Sequence, residues 1–328
     1  MDSGILSIII VVSVEFFLGN MVNGFVALVN GVDLVKRRRI SEVDQLLSAL
    51  ALSRIVLLWS VVLNILLSFT YPGRINIHLI RISNFSWIVS NHFNLWLSTN
   101  LSFFFFLKIG HFSSSAFLYL KWRVRKVVST TLVMSLVPLF FNVLVINAIF
   151  DESIGGCMRN MSYFHCSKTS TQFSKRILLT NSAFMVLPFI FSLAVILLLI
   201  ISLRRHQQQM QQVVWGARDA SATAHLRALQ TGVAFFLLSV AFILSVILQL
   251  WTFDFLDMNI LILSSLATGI AFPSGHSVIL VLGNSKLRQA LGAMLRGLRG
   301  LWCWGRAPEP RDRAPLTGQA SVPLRRLR

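Results

Sequence analysis

Charge is scarce in this chain, and what there is of it is lopsided. Only 13% of the 328 residues are charged while 55% are hydrophobic, and mean hydropathy is +0.70. A water-soluble domain of ordinary composition carries about 25% charged residues, so lipid must solvate much of this chain. Cysteine is nearly missing too. Cys157, Cys166 and Cys303 are too few for a disulfide scaffold or a Cys-rich metal site, and no cofactor or metal is expected. The N-terminus has no cationic segment ahead of its first apolar run, and that run is too long for a signal-peptide core, so it reads as a first spanning helix. No internal repeat is evident, which argues against the paired halves of many transporters.

What is present is a series of apolar stretches. A helix rises about 1.5 Å per residue and the hydrocarbon core is about 30 Å thick, so each span needs roughly 20 residues. Seven stretches qualify: 6–29, 46–69, 85–107, 129–150, 181–202, 228–251 and 259–282. The expected fold is an all-α membrane protein, a seven-transmembrane helix bundle with a short amphipathic cytoplasmic helix. After the bundle, Leu287, Ala290, Leu291, Met294, Leu295 and Leu298 recur at i, i+3, i+4 opposite Lys286, Arg288, Arg296 and Arg299. That pattern is a basic amphipathic helix suited to the inner leaflet. The expected organisation is a receptor domain over 1–283, this helix over 284–301, and a disordered Pro/Arg-rich tail over 302–328.

The net charge of +18 would suggest nucleic acid in a soluble protein, but the cations lie between the apolar stretches and towards the C-terminus, so no nucleic acid partner is expected. Lys36, Arg37, Arg38 and Arg39, then Lys108, Lys121, Arg123, Arg125 and Lys126, then Arg204, Arg205, Arg218 and Arg227 fall on one side with the tail. The other side holds Arg74, Arg81, Arg159, Lys168, Lys175 and Arg176. Basic residues resist translocation, which puts the N-terminus outside and the C-terminus in the cytoplasm.

Several motifs carry more specific information. The first span holds Val14-Glu15-Phe16, Gly19-Asn20 and Val22-Asn23-Gly24-Phe25, and the second Leu50-Ala51-Leu52-Ser53-Arg54. After the third come Phe106-Leu107-Lys108-Ile109 and Phe117-Leu118-Tyr119-Leu120-Lys121-Trp122-Arg123-Val124, and the fifth contains Leu187-Pro188-Phe189. The seventh ends Pro273-Ser274-Gly275-His276-Ser277, followed by Leu282-Gly283-Asn284-Ser285-Lys286. No Asp-Arg-Tyr follows the third span and no Asn-Pro-x-x-Tyr occurs in the seventh. These segments resemble those of type 2 bitter taste receptors, seven-helix G-protein-coupled receptors. Gly110-His111 and the long basic tail depart from the family pattern. The resemblance implies small-molecule bitter ligands, a heterotrimeric G protein of the gustducin type and a plasma-membrane location. A vomeronasal-type chemoreceptor is the alternative.

Arg54 lies within an apolar segment, and a charged side chain at the bilayer centre costs at least about 2.5 kcal/mol. It therefore needs partners. Asn23, His276 and Ser277 match family positions at comparable depth, and they form either an activation network or a static clamp between helices. Trp87 and Asn91 are four apart and share a helix face. The resemblance makes them ligand-pocket residues, together with Phe184 and Leu266; without it they read as an interfacial anchor and an interhelical hydrogen bonder. Trp offers an aromatic surface and Asn both donors and acceptors. An apolar Leu266, where relatives carry polar groups, suits neutral lipophilic ligands. Lys121, Arg123, Arg125, Arg204 and His206 read either as contacts for anionic membrane lipids or, by the resemblance, as the face that meets the G protein. Asn160-Met161-Ser162 is a glycosylation sequon in a loop assigned outside.

Pro273-Ser274-Gly275-His276 also matches the middle motif of membrane lipid phosphatases. Those enzymes need an Arg-Pro motif upstream and a nucleophilic histidine downstream. This chain has no Arg-Pro dipeptide and no histidine after His276. No catalytic residues are therefore expected.

Overall fold

The computed structural model describes residues 3–36, 41–70, 77–110, 114–159, 163–211, 220–252 and 258–304. Their secondary structure is helical: α1 Ser3–Val35, α2 Glu42–Thr70, α3 Ile77–Ile109, α4 Ser115–Trp122, α5 Val124–Arg159, α6 Tyr163–Gln211, α7 Ala220–Thr252, α8 Met258–Gly283 and α9 Ser285–Trp304. Each of the seven expected spans falls inside one long helix. The helices overrun the apolar stretches because hydropathy marks only the part that meets lipid. Polar helical turns continue beyond it, most visibly in α6, which begins at Tyr163 rather than near Asn181.

The described residues fall into two units, one up to Arg288 and one from Gln289 onward. Within the first, consecutive long helices pack side by side, and α8 returns to α1 to close the ring. The third helix is the hub, packing against α2, α5, α6 and α7. This position explains its composition. Leu6–Val35, Glu42–Leu63, Val124–Ser153, Gln172–Ser202 and Val233–Thr252 are long and apolar enough to cross a membrane by composition alone, and α3 is not among them. Its Ser90, Asn91, Asn94, Ser98, Thr99 and Asn100 are all buried, and Asn94, Ser98, Thr99 and Asn100 bond residues of other helices in place of water. Lipid-facing helices show the reverse pattern. Met21, Leu28, Trp59, Phe140, Ile190 and Leu244 stand exposed on α1, α2, α5, α6 and α7, as a bilayer allows and water does not.

Close approach of α1 to α8 depends on Gly19. A Cβ there would run into the Ser274 hydroxyl and come within 2.9 Å of a Leu58 methyl. The short α4 has no apolar-run signature. Ser114 starts it, with extended backbone (φ −69°, ψ 137°) and its hydroxyl accepting from Phe117 N, an N-cap. Asn284 does the same at the α8–α9 junction, its Oδ1 accepting from Lys286 N and Leu287 N at 2.9 and 3.2 Å. In the second unit, α9 carries Ala290, Leu291, Met294 and Leu295 at helical spacing. The expected disordered tail from 305 onward, the sequon at Asn160 and the basic residues Arg37, Arg38, Arg39, Arg74 and Arg218 lie outside the described residues.

Candidate functional site

Arg54 is 1% exposed, and its guanidinium is held entirely by neutral groups. Nε donates to Asn94 Oδ1 at 2.9 Å, Nη1 to Ser277 Oγ at 2.7 Å, and Nη2 to Ser98 Oγ at 3.1 Å and His276 Nδ1 at 2.5 Å. Because arginine can only donate, Nδ1 must accept, and the imidazole proton sits on Nε2. Ser277 Oγ in turn donates to Asn23 Oδ1 at 2.7 Å and lies 2.9 Å from the carbonyl of Pro273. Asn23 also donates to Gly19 O at 2.7 Å. The His276 ring lies 4.7 Å from that of Phe235 on α7. The geometry thus brings together Asn23, Arg54, His276 and Ser277, and joins α1, α2, α3 and α8. Among the described residues no carboxylate meets the charge, so dipoles offset its desolvation. With Nδ1 occupied by a guanidinium and the ring 2% exposed, His276 has no access to a phosphate ester.

Asn94 and Ser98 escaped the sequence reading, although a signal for them existed. Trp87, Asn91, Asn94 and Ser98 are spaced by four, three and four, one continuous stripe on α3. The upper part of that stripe opens on a narrow cavity. Trp87, Asn91 and Phe184 line it, with His92, Asn142 and Asn181, and as it stands it accommodates about one water molecule. Trp87 packs inward against three apolar clusters built on α1, α2, α3, α5, α6, α7 and α8. His92 Nε2 lies 3.2 Å from Ser135 Oγ on α5. Leu266 belongs to α8, but its side chain lies outside the described residues.

The two ends of the bundle are fastened by ion pairs. Beyond the cavity, Arg81 on α3 bonds Asp151 on α5, and Arg176 on α6 meets Glu152 at 2.8 Å. These two cations, counted in the sequence as loop residues, thus sit within helices and are paired. At the opposite end Lys286 Nζ meets Asp33 and Asp44 at 2.8 and 3.1 Å and Asn30 Oδ1 at 2.9 Å, tying α1, α2 and the α8–α9 junction. Partial burial works to lower the Lys286 pKa, but the two carboxylates outweigh it and the value stands above 10.5.

The C-terminal end of α3 opens on a cleft lined by Lys108, Lys121, Arg123, Arg125 and Lys126, together with Glu42. Lys121 Nζ donates to Gly110 O at 3.1 Å, and Arg123 lies 5.1 Å from the centre of the Tyr119 ring. Arg204 is exposed on α6 and does not line this cleft. His206 is helical, with its side chain outside the described residues.

Residues 1–299 match the family model described as taste receptor protein (TAS2R). The chain belongs to the taste receptor type 2 family. It is similar to taste receptor type 2 member 125 of Rattus norvegicus, 48% identical over 281 residues that cover 85% of this chain and 90% of the relative. It is also similar to taste receptor type 2 member 14 of Macaca mulatta, 46% identical over 301 residues (91% and 94% coverage). The Homo sapiens protein of that name is 46% identical over 290 residues (88% and 91%). The family is one of seven-transmembrane receptors, not enzymes, and α1, α2, α3, α5, α6, α7 and α8 are the spans of this taste receptor. The four-residue phosphatase resemblance around His276 therefore carries no activity.

Proposed function

We propose that this receptor detects small lipophilic bitter compounds in the cavity lined by Trp87, Asn91 and Phe184, with Leu266 as a further wall, and that it activates a heterotrimeric G protein of the gustducin type. The supporting observation is the α3 stripe. One helix face carries Trp87 and Asn91 on the cavity and Asn94 and Ser98 on Arg54. A ligand that displaces Trp87 therefore pushes on the same rigid helix that orients the buried charge. Asn23, Arg54, His276 and Ser277 form the activation network in this reading. The cavity faces outward and the cleft of Lys121, Arg123 and Arg125 faces the cytoplasm, where it meets the G protein with Arg204 and His206. Asn160 carries a glycan, the receptor sits in the plasma membrane, and the basic amphipathic α9 contacts anionic lipids of the inner leaflet.

The test is expression with a chimeric gustducin-type G protein and a calcium screen of bitter compounds. Agonists that act on wild type and lose potency on Trp87→Ala support the reading. Agonists whose curves are unchanged by Trp87→Ala, Asn91→Ala and Phe184→Ala at normal surface density refute the pocket. A response unaltered by omitting the chimeric G protein refutes the coupling.

A further inference from the structure

Asn142 is a buried amide with one end satisfied. It is 7% exposed, projects from α5 into the wall of the cavity, and donates through Nδ2 to Asn181 Oδ1 on α6 at 3.3 Å. Its own Oδ1 is enclosed and meets no hydrogen-bond partner among the described residues. A buried acceptor left unpaired is unfavourable in an interior of low dielectric, and nearly all such groups in folded proteins find a partner. The rest of the lining is aromatic or apolar, with Trp87, Trp96 and Phe184, or polar, with Asn91, His92 and Asn181. Among the described residues no carboxylate lines it, so none there would pair with a cation.

We propose that Asn142 is a specificity-determining residue whose Oδ1 accepts a hydrogen bond from the ligand, so that the cavity selects neutral aromatic compounds bearing a hydroxyl or N–H donor over isosteres that only accept. This rests on the pocket reading given under Proposed function. The aromatic part lies against Trp87, and the donor reaches across to α5. A site built around a polar partner rejects an analogue lacking it more strongly than an apolar pocket rejects a change of size.

The experiment uses the full chain in cells and a panel of matched probes, each pair a neutral two-ring phenol and its methyl ether. Calcium dose–response curves are recorded on wild type, Asn142→Leu, Asn142→Asp and Trp87→Ala, with surface density measured for each. On wild type the phenols exceed their ethers in potency by about tenfold or more. Asn142→Leu brings each pair to near parity, and Asn142→Asp, which keeps an acceptor in place, retains the preference. Equal potency on wild type, or a phenol preference that survives Asn142→Leu, overturns the assignment; the pocket itself still stands if Trp87→Ala weakens both members. If Trp87→Ala changes neither, the pocket reading fails instead. Should Asn142→Leu not reach the surface, Asn142→Asp decides, because amine analogues of the same rings must then gain about tenfold on the phenols, and an unchanged ratio overturns the proposal. A panel without a single active pair overturns the ligand class.

Discussion

Replacing Ser277 by alanine removes one oxygen and strands two buried groups. On one side, Arg54 Nη1 loses an acceptor 2.7 Å away; on the other, Asn23 Oδ1 loses a donor at 2.7 Å. A hydrogen bond to a charged group is worth about 1.5–3 kcal/mol, and a neutral bond between membrane helices about 0.6–1.7 kcal/mol. Together the expected loss is roughly 2–5 kcal/mol. Taking about 2 °C per kcal/mol, the lower end of the usual range, the inactivation midpoint of detergent-solubilised receptor falls by roughly 4–10 °C. The double-mutant cycle with Asn23→Ala sharpens the test, because both changes act on the same Ser277–Asn23 bond. Their effects fall short of additive by about 0.5 kcal/mol or more. Potency should fall, or surface density drop, alike for every agonist, since Ser277 does not line the cavity. A midpoint within about 1 °C of wild type, or loss confined to one agonist class at normal surface density, would refute the reasoning.

Gly19→Ala forces α1 away from Ser274 and Leu58 and should cost about 1–3 kcal/mol through overpacking; surface density by flow cytometry falls, whereas Gly24→Ala and Gly31→Ala, where a Cβ meets nothing within 4 Å, leave it unchanged. Trp87→Ala removes a large aromatic surface worth about 1–3 kcal/mol, which is ten- to a hundredfold in calcium-assay potency for ring-bearing agonists. Leu266→Glu shifts preference towards cationic agonists, read as the potency ratio of amine to neutral probes. Asn160→Gln raises gel mobility to that of glycosidase-treated protein, and an unshifted band beside a glycosidase-sensitive wild type would remove the glycan from that site. Lys286→Met loosens the Asp33–Asp44 clasp. Because the folded-state pKa of Lys286 stands above 10.5, the lysine's contribution is fully present below that value and disappears as alkali titrates it. The stability difference between wild type and Lys286→Met should therefore be constant from about pH 6 to 9 and shrink only above 10.5.

The long helices were legible because the bilayer imposes one dominant rule, an apolar run of spanning length. Where another rule governs, the sequence says less. The third helix was recognised despite its polar residues, but which of them meet which partners is a matter of packing. Asn94 and Ser98 became meaningful only when α2 brought Arg54 beside them. Asn142 is similar: nothing in the apolar run 129–150 singles out one amide as unsatisfied. The helix α4 escaped notice because it is held by a Ser114 cap and by Phe117 packing on Phe106, not by a hydrophobic span. Positive-inside counting treated Arg81 and Arg176 as free loop charges, because pairing with Asp151 and Glu152 depends on the phase of α3, α5 and α6.

The stripe on α3 also limits how such a receptor can change over evolutionary time. Rotating α3 to reshape the cavity at Trp87 and Asn91 would swing Asn94 and Ser98 away from Arg54 and leave a charge stranded in the membrane interior. On the pocket reading proposed above, substitutions that alter ligand range are cheapest on the facing walls, at Asn142 and Asn181 and around Phe184, where no buried charge depends on helix phase. A receptor of this build can vary its chemical vocabulary on α5 and α6 while α3 stays fixed as the common axis.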